Sequence, residues 1–201
     1  MKHSYLLPFA LLSLSSCVSP LTDAEKTPRV GGTRSEGVTV AVLDRREDVM
    51  SGKHKDTWEG LGHGVYGIPY FHNSRSGLSM AEYLATMIQR GFKATNRNAG
   101  IVKVAMGQSP ENAKAQLRGR KALLIVLKNW YVDYGNTSIE LFYDANVSVL
   151  SPEGAVLGSK HFEGSEVSEF GLMTSYYVQI EKAHKKRLEA ILSDGAITQA
   201  L

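Results

Sequence analysis

Residues 139–149 alternate: Ile139, Leu141, Tyr143, Ala145, Val147 and Val149 fall on one side, with Glu140, Asp144, Asn146 and Ser148 among those opposite. A period of two sends successive side chains to opposite faces of a strand, so this segment is a half-buried strand that needs a layer against its apolar face. Just upstream, residues 122–126 are continuously apolar and run on through Trp130-Tyr131-Val132, the pattern of a central strand covered on both faces. Tyr134-Gly135-Asn136 turns the chain between the two strands. Ser151-Pro152-Glu153-Gly154 turns it again, and residues 155–163 return as a hairpin partner.

The remaining elements supply the covering layer. Residues 38–43 form a short β-branched run that reads as a strand, closed by the charged turn Asp44-Arg45-Arg46-Glu47-Asp48. Ser79 and Glu82 make a capping box, followed by Ala81, Leu84, Ala85 and Ile88 at helical spacing, with Gly91 as the expected stop. A short strand is expected around Phe92 or in residues 101–105. Ser109-Pro110 starts a second helix that Gly119 ends. Residues 172–192 predict a long closing helix, with Met173, Tyr177, Ile180, His184, Leu188 and Ile191 near one face. The fold class is therefore α/β (α+β): a single mixed, largely antiparallel sheet with helices packed on one face. With 43% hydrophobic and 21% charged residues, the chain suits one ordinary globular domain.

The N-terminus carries an address. Met1-Lys2-His3 precedes an apolar stretch from Tyr5 to Leu14, then Ser15-Ser16-Cys17. A positive start, a short apolar run and small residues before a cut make a secretory signal peptide. The run is too short to span a bilayer and contains Pro8. Leu14-Ser15-Ser16-Cys17 resembles the bacterial lipobox, in which the thiol takes a lipid before cleavage. Cys17 is the one cysteine of the chain, so it has no intramolecular disulfide partner. The resulting division is a signal peptide at 1–16, a lipidated Cys17 with a flexible tether at 17–36, and one domain at 37–201. The tether reading rests on two prolines, a Gly pair and weak apolar periodicity; such a coil would span about 25 Å. Val18, rather than Asp, follows the lipidated residue. By resemblance to enterobacterial sorting, this implies the periplasmic face of the outer membrane.

A lipobox, a first strand ending in Asp44-Arg45-Arg46, a helix ending in Gly91-Phe92, a meander and a terminal helix together resemble the YajG-type bacterial lipoproteins. The resemblance covers residues 36–192 and is similar in architecture to other envelope lipoproteins, including activators of cell-wall synthases and auxiliary components of transporters. It implies a fold and an address, and offers no catalytic residues to carry over.

Residues 49–77 are Gly-rich and aromatic with no periodicity, and read as a long loop. Loops of that length are usually functional or mobile. Trp58, Tyr66, Tyr70 and Phe71 in it are either a recognition surface or a lid packed on the sheet. His54, His63 and His72 are candidate metal ligands without a motif spacing, or solvated loop histidines. Arg45 and Arg46 either bind a carboxylate or phosphate, or pair with the acidic residues of their own turn. His184 reads as a core or boundary histidine. The net charge of +3 is too mild for a nucleic-acid partner, and no nucleophile elbow or phosphate loop is present in the sequence. No cofactor is expected. The leading expectation is a non-catalytic binding or assembly module, with the membrane and another envelope protein as partners. The alternatives are an envelope hydrolase or metal-dependent enzyme built on the 49–77 segment, or a small-ligand carrier.

Overall fold

In a computed structural model, residues 21–31, 37–171 and 174–201 are described. The elements are α1 (Asp23–Lys26), β1 (Val38–Asp44), α2 (Glu47–Met50), β2 (Trp58–His63), a 3-10 turn (Val65–Gly67) and β3 (Pro69–Asn73). They continue with α3 (Met80–Ala94), β4 (Ala99–Ile101), α4 (Pro110–Gln116), β5 (Ala122–Tyr134), β6 (Ser138–Leu150), β7 (Val156–Glu169), α5 (Tyr176–Leu192) and α6 (Gly195–Ala200).

All seven strands form one mixed sheet organised on β5. Along one edge, β6 runs antiparallel to β5 over its whole length, from Ala122↔Leu150 to Tyr134↔Ile139. β7 extends the meander antiparallel to β6. A strand has two hydrogen-bonding edges, so the other strands that pair with β5 share its second edge end to end. β1 is parallel to the first half, from Thr39↔Ala122 to Asp44↔Leu127. β2 is parallel to the last residues, from Gly60↔Val132 to Gly62↔Tyr134. β4 lies outside β1, and β3 lies outside β2. A register shift between Leu127 and Asn129 falls where one edge partner gives way to the next.

Burial explains why β1 lacks alternation. All seven of its residues are buried because both faces are covered. Val40 and Val42 meet Leu84, Ile88 and Phe92 of α3 in the main core, which α5 and α6 complete with Ile180, Leu188 and Ile197. Ala41 and Leu43 point the other way, to Ala113 and Leu117 at α4. The mixed sheet with a main helical face is as the sequence predicts; α4 is the helix that crosses to the opposite face.

The seam between β1 and β2 is closed by Arg46, a residue 1% exposed. Its guanidinium donates to Asp44 through Nε and Nη2, with the closest contact at 2.8 Å. Nη1 donates to the carbonyls of Trp58 at 2.7 Å and Trp130 at 3.0 Å, and Nη2 donates to the carbonyl of Asp56. Those carbonyls lie where the strand-to-strand ladder is interrupted, and buried backbone acceptors need a partner.

Three expectations are corrected. Residues 49–77 are not a long loop: they contain β2 and β3. Glycines in β2 hid the strand, yet contact requires them. A Cβ on Gly60 would lie 1.9 Å from the Val132 carbonyl oxygen, and one on Gly62 would lie 2.5 Å from the Tyr70 ring. Gly91 does not end α3, which continues to Ala94; it is buried within the helix, with the Pro28 carbonyl 2.6 Å from where its Cβ would be. For the same reason the described part of the 17–36 segment is not a free coil. Thr22 caps α1 with a capping box, and Val30 joins the core. Cys17, the signal peptide and residues 32–36 lie outside the described residues, as do Leu172 and Met173 at the expected start of the closing helix.

Removing the Arg46 guanidinium leaves a buried Asp44 and several carbonyls unpaired. Arg46→Ala is expected to cost on the order of 3–5 kcal/mol, the usual penalty for breaking a buried pair from one side. Equilibrium urea unfolding measures it.

Candidate functional site: an aromatic cleft on the face away from the main helices

Strand alternation sends the neighbours Trp58 and Glu59 of β2 to opposite faces of the sheet, and each nucleates a different cluster. On the face turned away from α3 and α5, four rings stack in series. His54 lies 4.2 Å from Trp58 and Trp58 lies 5.5 Å from Tyr131, both at 21° between planes. Tyr131 stacks on Phe142 at 4.8 Å. Phe71 meets His54 edge-on at 4.6 Å. Ring pairs of this kind add to area burial. His54, Trp58, Phe71 and Tyr131 line a cleft of about 400 Å³ with Asp48, Lys53, Leu61 and Lys128 on its walls and Arg46 behind.

Asp48 holds Lys53 at 3.1 Å and His54 at 3.8 Å. Burial lowers the His54 pKa against the opposing pull of Asp48, which favours a neutral ring that packs as an aromatic. Trp58 is 5% exposed, and its Nε1 has no hydrogen-bond partner among the described residues. Beside the cleft, the β2–β3 hairpin carries Tyr66 at 95%, Ile68 at 66% and Phe71 at 64% exposure. Tyr66 sits at φ 71, in the left-handed region that a non-glycine residue seldom adopts.

The structure divides the predicted site residues. Trp58 and Phe71 come together in the cleft, with Tyr66 at the hairpin tip. Tyr70 belongs to the opposite face, where it accepts a 3.1 Å hydrogen bond from the Tyr134 hydroxyl. Arg46 is spent in the seam, and Arg45 donates to the Gln108 carbonyl at 2.9 Å. The three loop histidines separate, each to its own carboxylate: His54 to Asp48, His63 to Asp133 at 2.7 Å, and His72 to Glu59 at 3.1 Å.

Glu59 was not legible as a site residue. It is buried on the helical face, where His184 Nε2 lies 3.1 Å from Oε1. The indole N–H of Trp130 donates to His184 Nδ1 at 3.0 Å, so the ring proton belongs on Nε2 and points at Glu59. His72 Nε2 approaches Oε2 at an angle poor for a hydrogen bond and is the weaker partner. Burial alone would raise the Glu59 carboxyl; the bond from His184, and then the contact with His72, outweigh it and hold its pKa at about 2. Glu59 also lines a second cleft, of about 450 Å³, between α1, α3 and α5. The one available signal was His184 on the apolar face of its helix.

No family model matches the sequence, and no curated protein matches it. Among solved structures, the chain is similar to a Xanthomonas campestris protein of family DUF330, at TM-score 0.53 and 13% identity, over 86% of this chain and 91% of that one. It is also matched to a lipoprotein from Neisseria meningitidis, at TM-score 0.38 and 11% identity, over 80% of this chain and 100% of that one. The first likeness is one of fold. Among the described residues no helix is long and apolar enough to cross a membrane.

Stability carried by ionised Glu59 is full above its ordinary pKa of 4.5 and is lost as pH falls toward about 2. Glu59→Gln lacks that contribution, on the order of 3 kcal/mol at neutral pH. Its unfolding free energy should therefore fall less steeply than the parent's between pH 5 and pH 3, as urea titrations at each pH would show.

Proposed function

We propose that this protein is a lipid-anchored envelope module that binds another envelope protein through the Trp58–Phe71 cleft and the adjoining hairpin, without turnover. The observation that carries the reading is the β2–β3 hairpin: Tyr66 and Ile68 at its turn and Phe71 on β3 stand exposed, with Phe71 against a four-ring stack. Exposed aromatic clusters rimmed by charge are characteristic of recognition surfaces. The partner that suits it offers an apolar side chain to the ring stack. Its polar groups meet both signs of charge at the rim, where Asp48, Lys53 and Lys128 line the cleft. The lipobox ending in Cys17 supports the anchor, Val18 supports the outer membrane, and the YajG-type resemblance supports the same class.

A second reading, a hydrolase, draws on Glu59 and His72, a buried titratable pair at the edge of the other cleft. What weighs against it is the bonding of a serine hydroxyl beside the pair. Ser74 Oγ, in the lining of that cleft, bonds Ser76 Oγ at 2.7 Å and not a histidine.

The test places a photo-crosslinking residue at Tyr66 or Phe71 in cells. One envelope protein should be captured from both positions and not from Val156, an exposed apolar position on β7. Phe71→Asp should weaken capture at least about tenfold, the loss expected of a central anchor. Capture independent of position 71 would refute the site. In parallel, Cys17→Ala should move the protein from the membrane to the soluble fraction, and retention of the cleaved protein would refute the anchor.

A further inference from the structure

We propose that residues 22–31 act as a clasp: they hold the face of the domain that carries Arg75 and Tyr177 against the phospholipid headgroup layer of the membrane that anchors Cys17. The inference rests on the reading of Cys17 as the lipidated residue.

The clasp crosses α3 and α5. Asp23 pairs with Arg90 of α3 at 3.0 Å, and Lys26 pairs with Glu181 of α5 at 2.9 Å. Lys185 donates to the Glu25 carbonyl at 2.9 Å, and the Arg29 backbone N–H donates to Glu189 at 2.9 Å. Surface pairs of this kind contribute little individually. The decisive contact is apolar: Pro28 and Val30 seat on Gly91, where a Cβ would come within 2.6 Å of the Pro28 carbonyl oxygen and 2.8 Å of Val30 Cγ2. Val30 is buried with the core.

Docking shortens the reach. From Cys17 to Thr22 the chain covers five residue steps, at most about 17 Å even fully extended. A lipid on Cys17 therefore keeps Thr22 within that distance of the bilayer. Asp23 and Lys26, the next residues, line the cleft of about 450 Å³ together with Arg75, Arg90 and Tyr177. Lys26 and Arg90 are neutralised by their pairs with Glu181 and Asp23. Arg75 has no carboxylate partner among the described residues, and its guanidinium lies 4.5 Å over the Tyr177 ring. An unpaired, pre-oriented arginine at the membrane edge is suited to headgroup phosphate. The turn holding Glu153 lies beyond the Ala122 end of β5, about 25 Å along that strand from the level of Trp58 and Asn73, where Arg75 follows β3.

The experiment uses the full acylated protein. Its one natural cysteine is consumed by lipid, so a cysteine introduced by Leu78→Cys, in the cleft lining, or Glu153→Cys takes a fluorophore uniquely. In vesicles of phosphatidylethanolamine and phosphatidylglycerol carrying a headgroup-linked quencher, the label at position 78 should be quenched several-fold more than that at 153. Two changes should abolish the contrast: Gly91→Val, which unseats the clasp, and a flexible Gly-Ser insertion of about 12 residues after Val18, which restores a long tether without touching the fold. Equal quenching at both positions, with acyl chains on Cys17 confirmed by mass spectrometry, overturns the clasp and leaves the anchor standing. Absence of acyl chains overturns both. A contrast that survives the insertion also overturns the clasp, because the face would then bind lipid on its own.

Discussion

The Arg46 guanidinium is the joint on which the architecture turns. β5 has one edge for the meander and one for two shorter strands set end to end, and between those strands the ladder lapses. Arg46 spans the lapse, holding Asp44 at the end of β1 while bonding the carbonyls of Trp58 on β2 and Trp130 on β5. A buried ion pair by itself is weak evidence for stability, since desolvation offsets the attraction. Here the donors also satisfy backbone acceptors, so replacing the pair with apolar residues would leave those acceptors orphaned. The fork geometry of arginine reaches them together, which a lysine ammonium would not.

With β2 pinned there, its alternation sorts the chemistry. Trp58 goes to the open face and becomes the middle of the ring stack, while Glu59 goes under the helices and becomes the acceptor for His184. The two clusters share a strand but serve different ends. The Glu59 cluster is nearly closed: Trp130, His184 and Glu59 form a chain in which each bond fixes the next, and such networks specify a unique packing. The ring stack is open at the hairpin tip, where apolar groups remain in water. The clasp, by contrast, lies over the helical side. On the proposed anchoring, that side would face the membrane and the aromatic cleft would face away from it.

Much of the fold was legible because it depends on local pattern. The alternation of residues 139–149, the Ser79 cap and the Ser109-Pro110 start each describe a strand or helix whatever lies around them. Gly60, Gly62 and Gly91 misled for one common reason. A glycine reads as a break when judged by its own conformational freedom, yet all three are required by what approaches them: the Val132 carbonyl, the Tyr70 ring and the Pro28 carbonyl. Such contacts are set by segments distant in the chain. Likewise, of the aromatic candidates, sequence could name Trp58, Tyr70 and Phe71 but not divide them between two faces, since the register of an unrecognised strand was unknown.

What the sequence determined by itself was the meander and the main helices, because each is encoded in contiguous residues. Only tertiary structure decided that Arg46 is a structural joint rather than a ligand group, that the three loop histidines part company, and that Glu59 and His184 meet across 125 positions of chain. It also decided that residues 22–31 dock on α3 and α5 instead of floating. These outcomes depend on which surfaces the folded sheet brings within a few ångströms, and burial then turns a charge or a glycine from a local preference into a constraint.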